Sequence, residues 1–541
     1  MAVEKLIVEH IDTWTTALQT RSTAGRGSSG KINLYGIKKL RELILELAVR
    51  GKLVPQDPND EPASVLLERN EERKKELSRN EGMKTTASPH IHENEYYIDT
   101  PENWSWIRLG NLAKFIDYRG KTPQKKENGI RLITAKNIRK GYIDLNPEEF
   151  IAEEDYTSWM TRGFPKCGDI LFTTEAPLGN AAIIDLDGKF ALAQRSICFQ
   201  WHIPEISPFM LIQIMAIPFQ SQLNDKSTGM TATGIKASKL KEIPVILPPY
   251  QEQTRIVSRV QDLMSLCDQL EQHSLTSLDA HQQLVETLLA TLTNSQNADE
   301  LAENWARISD HFDTLFTTEA SIDALKQTIL QLAVMGKLVQ SSDVVEYKKL
   351  KMFLSFGPRN GFSPVESKNN TRIKVLKLGA TSYGELNIQE SKFVDIDIDN
   401  NSHLYINEGD ILIQRGNSAN FVGCNVLVKE NHKNIIYPDL MMKIRTNEDL
   451  LPEYASIWLS SPLARGFMWD RMTGTSGTMP KISKKVVEEI PIIVPSIATQ
   501  QKCIAFVNLA IKICSDLKIR LQTSQQTQLH LADALTDAAI N

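Results

Sequence analysis

Two stretches of this chain carry the same alternation of apolar and polar positions. Residues 40–54, LRELILELAVRGKLV, and residues 325–339, LKQTILQLAVMGKLV, agree at ten of fifteen positions at an offset of 285. In the first copy Leu40, Ile44, Leu47 and Ala48 fall at helical spacing, and in the second Leu325, Ile329, Leu332 and Ala333 do the same. Gly51 and Gly336 follow, where a helix commonly ends on a left-handed residue. The pattern predicts a short amphipathic helix with a glycine stop, used twice.

A second repetition is longer. Residues 242–248, EIPVILP, and 489–495, EIPIIVP, match at an offset of 247, and each is followed by about 40 residues without Pro or Gly, enough for roughly 60 Å of helix. In the first of these helices Val260, Leu263, Cys267, Leu270, Leu284 and Leu288 step by threes and fours. In the second Val507, Ala510, Cys514, Leu517, Leu521, Leu531 and Leu535 keep the same phase. The two suit each other as coiled-coil partners, with polar centres at Ser274, Ser277 and His281 and at Ser524 and Gln528 that help fix register. Between short and long helix lie strand-rich, loop-rich segments, with apolar runs such as residues 130–134 and 425–428 between turn residues. Both contain Gly-Asp-Ile-Leu, at 168–171 and 409–412, as a turn entering a buried strand. Residues 61–82 are expected to form a charged helix, 88–103 a linker, and 298–318 a further polar helix.

The half-unit therefore reads as short helix, α/β segment, Ile-Pro-x-x-x-Pro exit and long helix, and its double use implies internal pseudo-two-fold symmetry. The expected divisions are 1–103, helical with a linker; 104–250; 251–345, with the first long helix and the second short one; 346–498; and 499–541, the distal long helix. A length of 541 residues agrees with several globular units. A 41% hydrophobic, 23% charged composition is that of a folding protein without a membrane bundle. No run approaches eighteen apolar residues and residues 1–10 carry charges where a signal peptide needs an apolar core, so a cytosolic chain is expected. Six scattered cysteines without a CxxC pair argue against a zinc ribbon or disulfide framework and predict reduced, packed thiols.

Net charge is −5, but it is unevenly placed. Residues 104–250 hold 18 Lys/Arg against 15 Asp/Glu and residues 346–498 hold 19 against 17, while the remainder holds 24 against 34. Two mildly basic segments joined by acidic ones suit a chain whose basic parts face phosphate and whose other parts face protein.

Catalytic motifs fail on inspection. Residues 25–31, GRGSSGK, satisfy GxxxxGK, yet no buried strand precedes them and Ile32 stands where a P-loop needs Ser or Thr for magnesium. Leu247-Pro248-Pro249-Tyr250 is one residue from the Asn/Asp-Pro-Pro-Tyr motif of amine methylases, but leucine cannot accept a hydrogen bond from a target amine. The prolines are expected to end a strand and open the long helix. Pro438-Asp439 with Lys443 lacks the second acid of a metal-dependent nuclease, and the ten histidines form no HExxH or Cys/His grid. No catalytic residue, metal site or cofactor is assigned to this chain. A stand-alone DNA methyltransferase or nucleotide-dependent enzyme with a cryptic site near Gly25 or Leu247 is the alternative, and a coiled-coil scaffold without nucleic acid is a third reading.

The remaining signals are basic and polar loops. The DNA-binding candidates in the first segment are Arg119, Lys121, Thr122, Lys125, Lys136, Asn137, Arg139, Lys140, Thr174, Arg195, Lys226, Thr228, Gly229 and Thr231; in the second they are Lys377, Arg415, Asn417, Ser418, Asn420, Thr475 and Ser476. Lys and Arg engage phosphate or guanine, Asn bonds adenine twice, and Ser, Thr and glycine backbone reach phosphate. The repeated short helices single out Leu40, Ile44, Leu47, Gly51, Leu325, Ile329, Leu332 and Gly336.

With these motifs the chain resembles, over nearly its whole length, the specificity subunit of type I restriction-modification enzymes. The carriers are the two LxxxILxLAVxGKLV elements, Trp104-Ser105-Trp106-Ile107-Arg108-Leu109-Gly110, Gly120-Lys121-Thr122-Pro123, Gly168-Asp169-Ile170-Leu171, Ala176-Pro177-Leu178-Gly179-Asn180 and residues 243–253, IPVILPPYQEQ. The second exit departs from the pattern, with Ser496 for the second proline and Thr499 for Glu252. The resemblance implies an α+β chain of two mixed α/β target recognition domains, 104–250 and 346–498, separated by a pair of long antiparallel coiled-coil helices. It implies a non-catalytic subunit that reads a bipartite double-stranded DNA site and docks two modification (methyltransferase) subunits, with Leu40, Ile44, Leu47, Gly51, Leu325, Ile329, Leu332 and Gly336 of the short helices as the docking candidates, joined by ATP-dependent restriction subunits. S-adenosylmethionine, ATP and magnesium are then expected on those partners, and no membrane is involved.

Overall fold

A computed structural model describes residues 3–20, 32–81, 89–118, 123–229, 233–339, 346–474 and 479–540. The chain divides into two units, one comprising Met1–Gln19, Leu34–Ser274 and Gln528–Asn541, the other Thr20–Asn33 and Leu275–Thr527. Both mix helix and sheet.

In the first unit the short helix is Tyr35–Val49. Lys52 N bonds Leu47 O at 3.0 Å and Gly51 N bonds Ala48 O at 3.5 Å, with Gly51 at φ +65°, so the chain stops in a Schellman turn. The second unit repeats it after Glu319–Val334: Lys337 N to Leu332 O at 3.0 Å, Gly336 N to Ala333 O at 3.2 Å, Gly336 at φ +69°. The lysine of each GKLV then caps a long helix within its own unit. Lys52 Nζ bonds Ile540 O at 2.5 Å, and Lys337 Nζ bonds Thr293 O and Ser295 O at 2.7 Å each. A cation on the last carbonyls answers the negative end of the helix dipole.

The long helices run Tyr250–Asn294 and Ile497–Ile540. Each short helix also bonds a long one laterally, through Arg41 to Asp268 (2.6 Å) and Glu271 (2.9 Å), Tyr35 to Asp533 (2.7 Å), and Lys518 to Asp323 (3.3 Å). Within each unit, therefore, the beginning of one long helix and the end of the other adjoin one short helix. The apolar stripe is buried within each unit, Tyr35–Val49 packing on helices Ile11–Thr16, Ser207–Met215 and Ile217–Asp225 and Glu319–Val334 on Pro452–Ser460 and Pro462–Trp469: Leu40, Ile44, Leu47, Leu325, Ile329 and Leu332 are at most 7% exposed. The expectation that these side chains present a docking surface is corrected, since they form the core of their own units, and Gly51 and Gly336 serve as helix stops.

Burial along each long helix follows the expected heptad phase in its first half and departs from it in its second. Val260, Leu263 and Cys267 are buried, but Leu284 is 51% exposed and Val285 and Leu289 take the core; likewise Val507 and Cys514 are buried, while Leu531 is 46% exposed and Ala532 is buried. A straight α-helix drifts about 20° per heptad from a 3.5-residue repeat. Across the polar centre that drift brings the next residue inward, at the same place in both copies.

Among the described residues, seven strands of each unit form a four-stranded and a three-stranded sheet. In the first, Ala113–Asp117, Ser196–Trp201, Ile170–Thr174 and Leu178–Ile183 make a four-stranded antiparallel sheet in that order. Ile130–Ile133 lies between Phe150–Ile151, antiparallel, and Phe190–Leu192, parallel. In the second, Leu354–Asn360, Met441–Thr446, Ile411–Gln414 and Asn425–Leu427 repeat the first order, and Ile373–Leu376 lies between antiparallel Ser391–Val394 and parallel Ile435–Ile436. Every strand has its mate in the same order of pairing. The IPxxxP exits close each domain onto its opening strand, Pro244–Leu247 on Ser105–Arg108 and Pro491–Ile492 on Lys348–Lys349.

A third repetition becomes visible only in the fold. Helix Ile11–Thr16 follows His10 as Phe312–Leu315 follows His311, and the sequences read His-Ile-Asp-Thr-Trp and His-Phe-Asp-Thr-Leu. The expected single helix at 298–318 is two, Ala298–Ser309 and Phe312–Leu315. The charged helix is Ala63–Glu81. Residues 89–103 are no free linker: Arg108 forks onto Glu95 at 2.7 Å, holding that carboxyl down to about 2, and Tyr96 stacks on Trp106 at 5.0 Å. All six cysteines are free; Cys167 is exposed and Cys424 half-buried, whereas the other four are packed. Among the described residues no helix is long and apolar enough to cross a membrane.

Candidate nucleic-acid interface

The buried foundation of each domain is its Gly-Asp turn. Gly168 and Gly409 take φ +90° and +81°, and the following Asp accepts from the backbone three residues back, Asp169 from Lys166 N at 2.9 Å and Asp410 from Asn407 N at 2.8 Å. Here the copies diverge. Asp410, fully buried, binds Lys443 Nζ at 3.0 Å and Arg445 Nη2 at 2.6 Å. Asp169 meets the neutral Gln200 at 3.1 Å and Cys198 at 3.6 Å, and burial pushes its carboxyl above the usual range. The pairing of Lys443 with Asp410 also accounts for the lysine that superficially suggested a nuclease.

The strand leaving this turn ends at a junction of three loops. Thr174 N bonds Arg195 O at 3.0 Å, Ile235 N bonds Thr174 O at 3.0 Å, and Thr228 and Gly234 exchange two backbone bonds of 2.9 and 3.0 Å. The second domain builds the same junction: Arg415 N to Leu440 O at 2.8 Å, Ile482 N to Arg415 O at 2.9 Å, and Thr473 and Lys481 paired at 2.9 Å both ways. Gly229 at φ +127° and Gly474 at φ +138° occupy equivalent tips. Matching positions are thus Thr174 and Arg415, Arg195 and Leu440, Gly234 and Lys481.

The junctions gather many predicted residues. In the first domain Arg195, Lys226, Thr228 and Gly229 stand at the edge with Thr228 and Gly229 exposed, while the Thr174 side chain is buried beneath them. Asn180 Nδ2 bonds Ile138 O at 3.0 Å and ties the loop of Lys136, Arg139 and Lys140 to the adjoining strand. Asn137 is corrected: it is 1% exposed, and its amide is engaged by Thr134, Asp144 and Pro147, so it braces this loop and has no free group for a base. Lys125 is held by Glu149 at 2.8 Å and Arg139 by Asp144 at 3.2 Å. In the second domain Asn417 bonds Gln414 at 2.7 Å and caps Ser418 N, whereas the Asn420 side chain and Lys377 are exposed. Arg119, Lys121, Thr122, Thr231, Thr475 and Ser476 lie outside the described residues, as does residues 25–31. Sequence reasoning missed Tyr383, 81% exposed against Phe421 at a ring distance of 6.1 Å beside this edge; its only signal was the Thr-Ser-Tyr-Gly turn.

The junctions can hydrogen-bond and neutralise phosphate and base edges. Among the described residues no cluster of three or more His, Cys, Asp or Glu is placed to hold a metal ion. Leu247 is a buried strand residue and Tyr250 starts the long helix, so the Pro-Pro-Tyr segment is a strand-to-helix turn.

The profile of the type I restriction modification DNA specificity domain matches twice, at residues 101–280 and 338–523. This chain belongs to the family of type I restriction-modification specificity subunits. It is 40% identical, over the full length of both chains, to the type I restriction enzyme EcoEI specificity subunit of Escherichia coli, and 38% identical on the same terms to the EcoAI specificity subunit of that species. A chain from a solved type I R-M system assembly aligns with a TM-score of 0.49 at 16% identity, covering 82% of this chain and 98% of that one. Each match to the specificity-domain profile contains one complete seven-strand domain and the first part of one long helix. The specificity subunit thus carries its two recognition domains on one repeated framework.

Proposed function

We propose that the two junctions read the two unlike halves of a bipartite double-stranded DNA site, and that the chain supplies no reactive group. The observation that carries this reading is the double use of one seven-strand topology with different side chains at the same loop edge, Arg195 and Gly234 in one copy against Leu440 and Lys481 in the other. The two long helices pair antiparallel as a spacer; the adjacency in each unit of one helix's start and the other's end supports this. Half-sites one turn apart are about 34 Å from centre to centre, within reach of a rod of roughly 60 Å. Two modification subunits dock on the duplicated helical regions by surfaces other than the buried stripes, and restriction subunits complete the cytoplasmic assembly. S-adenosylmethionine, ATP and magnesium belong to those partners.

The test is binding and turnover by purified protein. The chain with its modification subunits should bind DNA with an affinity falling linearly on a log-log salt plot. The chain alone should turn over neither S-adenosylmethionine nor ATP; turnover by the isolated chain would overturn the reading.

A further inference from the structure

Among the described residues only two that are not glycine adopt positive φ, Ala176 at +46° and Arg195 at +71°, and both lie at the first junction. Such backbone is strained and persists only where surrounding structure enforces it, characteristically at functional sites. Arg195 is enforced by its neighbours: its carbonyl receives Thr174 N at 3.0 Å, and Ser196 Oγ closes the turn onto Ala193 O at 2.9 Å. The matching residue of the second domain, Leu440, holds the same backbone bond without positive φ and without charge. Strain at 195 is therefore not a requirement of the framework.

The side chain that this backbone carries is held only by a loose ion pair. Its guanidinium makes no hydrogen bond among the described residues; the nearest carboxylate, Glu175 Oε2, stands 3.8 Å from Nε, too far for one. The Arg195 side chain is 51% exposed. By contrast Arg131, Arg139 and Lys125 of the same domain are tied to carboxylates at 2.8–3.2 Å. A fixed Cα, a free planar fork and a loosely attracting acid beside it are what a bidentate contact to a guanine edge needs.

We infer that Arg195 is the residue by which the first domain discriminates a base pair of its half-site, with Glu175 as its positioning residue. This rests on the proposed reading of the junctions as DNA-reading edges. The experiment maps methylated sites in cells carrying the whole chain with its modification subunits. Arg195→Gly removes the fork and suits positive φ, and Arg195→Asn, which tolerates that region, serves as a second variant. Both should leave thermal unfolding of the assembly unchanged or raised and relax one position of one half-site about ten- to a hundredfold. The other half-site and the spacing should be unchanged. Arg195→Lys should fail to restore discrimination, and Glu175→Gln should relax the same position less. Unchanged half-sites in the Gly and Asn variants, or full rescue by Lys, which keeps a phosphate contact but not the fork, would overturn the assignment of Arg195 alone. An unsplit motif in the wild type would overturn the reading of the junctions and this inference with it.

Discussion

Asp410→Asn and Asp169→Asn make one isosteric change at equivalent positions, and the structure gives them unequal costs. Asn at 410 removes the counter-charge of Lys443, which is 1% exposed, and offers one acceptor oxygen where the carboxylate offers two, so that its NH2 group is turned on either Lys443 or Arg445. Removing one member of a buried pair costs about 3–5 kcal/mol. At 169 all three donors converge on one oxygen, Oδ2, which an asparagine carbonyl replaces, and no cation is orphaned. The change there should lie within about 1 kcal/mol of zero. With about 2–4 °C per kcal/mol for a domain of this size, Asp410→Asn should lower the transition of its unit by roughly 6–20 °C in scanning calorimetry, and Asp169→Asn by a few degrees at most. The pH dependence separates them further. Burial raises the folded carboxyl of Asp169, so its contribution to stability is present at acid pH, below the unfolded carboxylate value, and is lost as pH rises through the folded one. Asp169→Asn should abolish that loss. Equal destabilisation by the two variants would refute the view that one framework carries two charge arrangements.

Three further outcomes follow from particular contacts. Lys52→Met and Lys337→Met each unbind a long-helix C-terminus and should cost about 2 kcal/mol apiece; by urea titration, a loss in neither would show that the caps are solvated equally well by water. His202, 9% exposed, is pushed down to about 4 by burial and then by Lys74. Its stabilisation is complete above the unfolded value near 6.5 and is lost as pH falls towards 4, on the order of 3 kcal/mol, so His202→Phe should flatten that limb of a stability-against-pH curve. Deleting one heptad from Tyr250–Asn294 shortens the rod by about 10 Å, some three base pairs; methylation mapping should then show altered spacing with unaltered half-sites, and the reverse would contradict the ruler.

The repeats made most of the architecture legible. Ten identities in the short helices and the twin EIPxxxP exits announced duplicated elements because local rules, helical spacing, a glycine stop and proline at a strand edge, act within a few residues. The long helices, 45 and 44 residues, match the expectation of about 40 residues after each exit for the same reason. What failed depended on contacts distant in the chain. The stripe of Leu40 and Leu325 looks alike whether it faces a partner or its own core, and only the helices of its own unit that pack on it, distant in the chain, decide. Leu284 and Leu531 are exposed against the heptad expectation because helical drift accumulates across a polar centre. Asn137 looked like an adenine-binding amide until its loop closed on it, and no pattern in the sequence marked the strain at Arg195 or the free ring of Tyr383.

Exchange of residues 104–250 for the corresponding domain of a relative with a different site, followed by genome-wide methylation mapping, tests the two-reader account most directly. One half of a split motif should change to the donor's while the other half and the spacing stay. Simultaneous change of both halves, or a single contiguous motif, would contradict it.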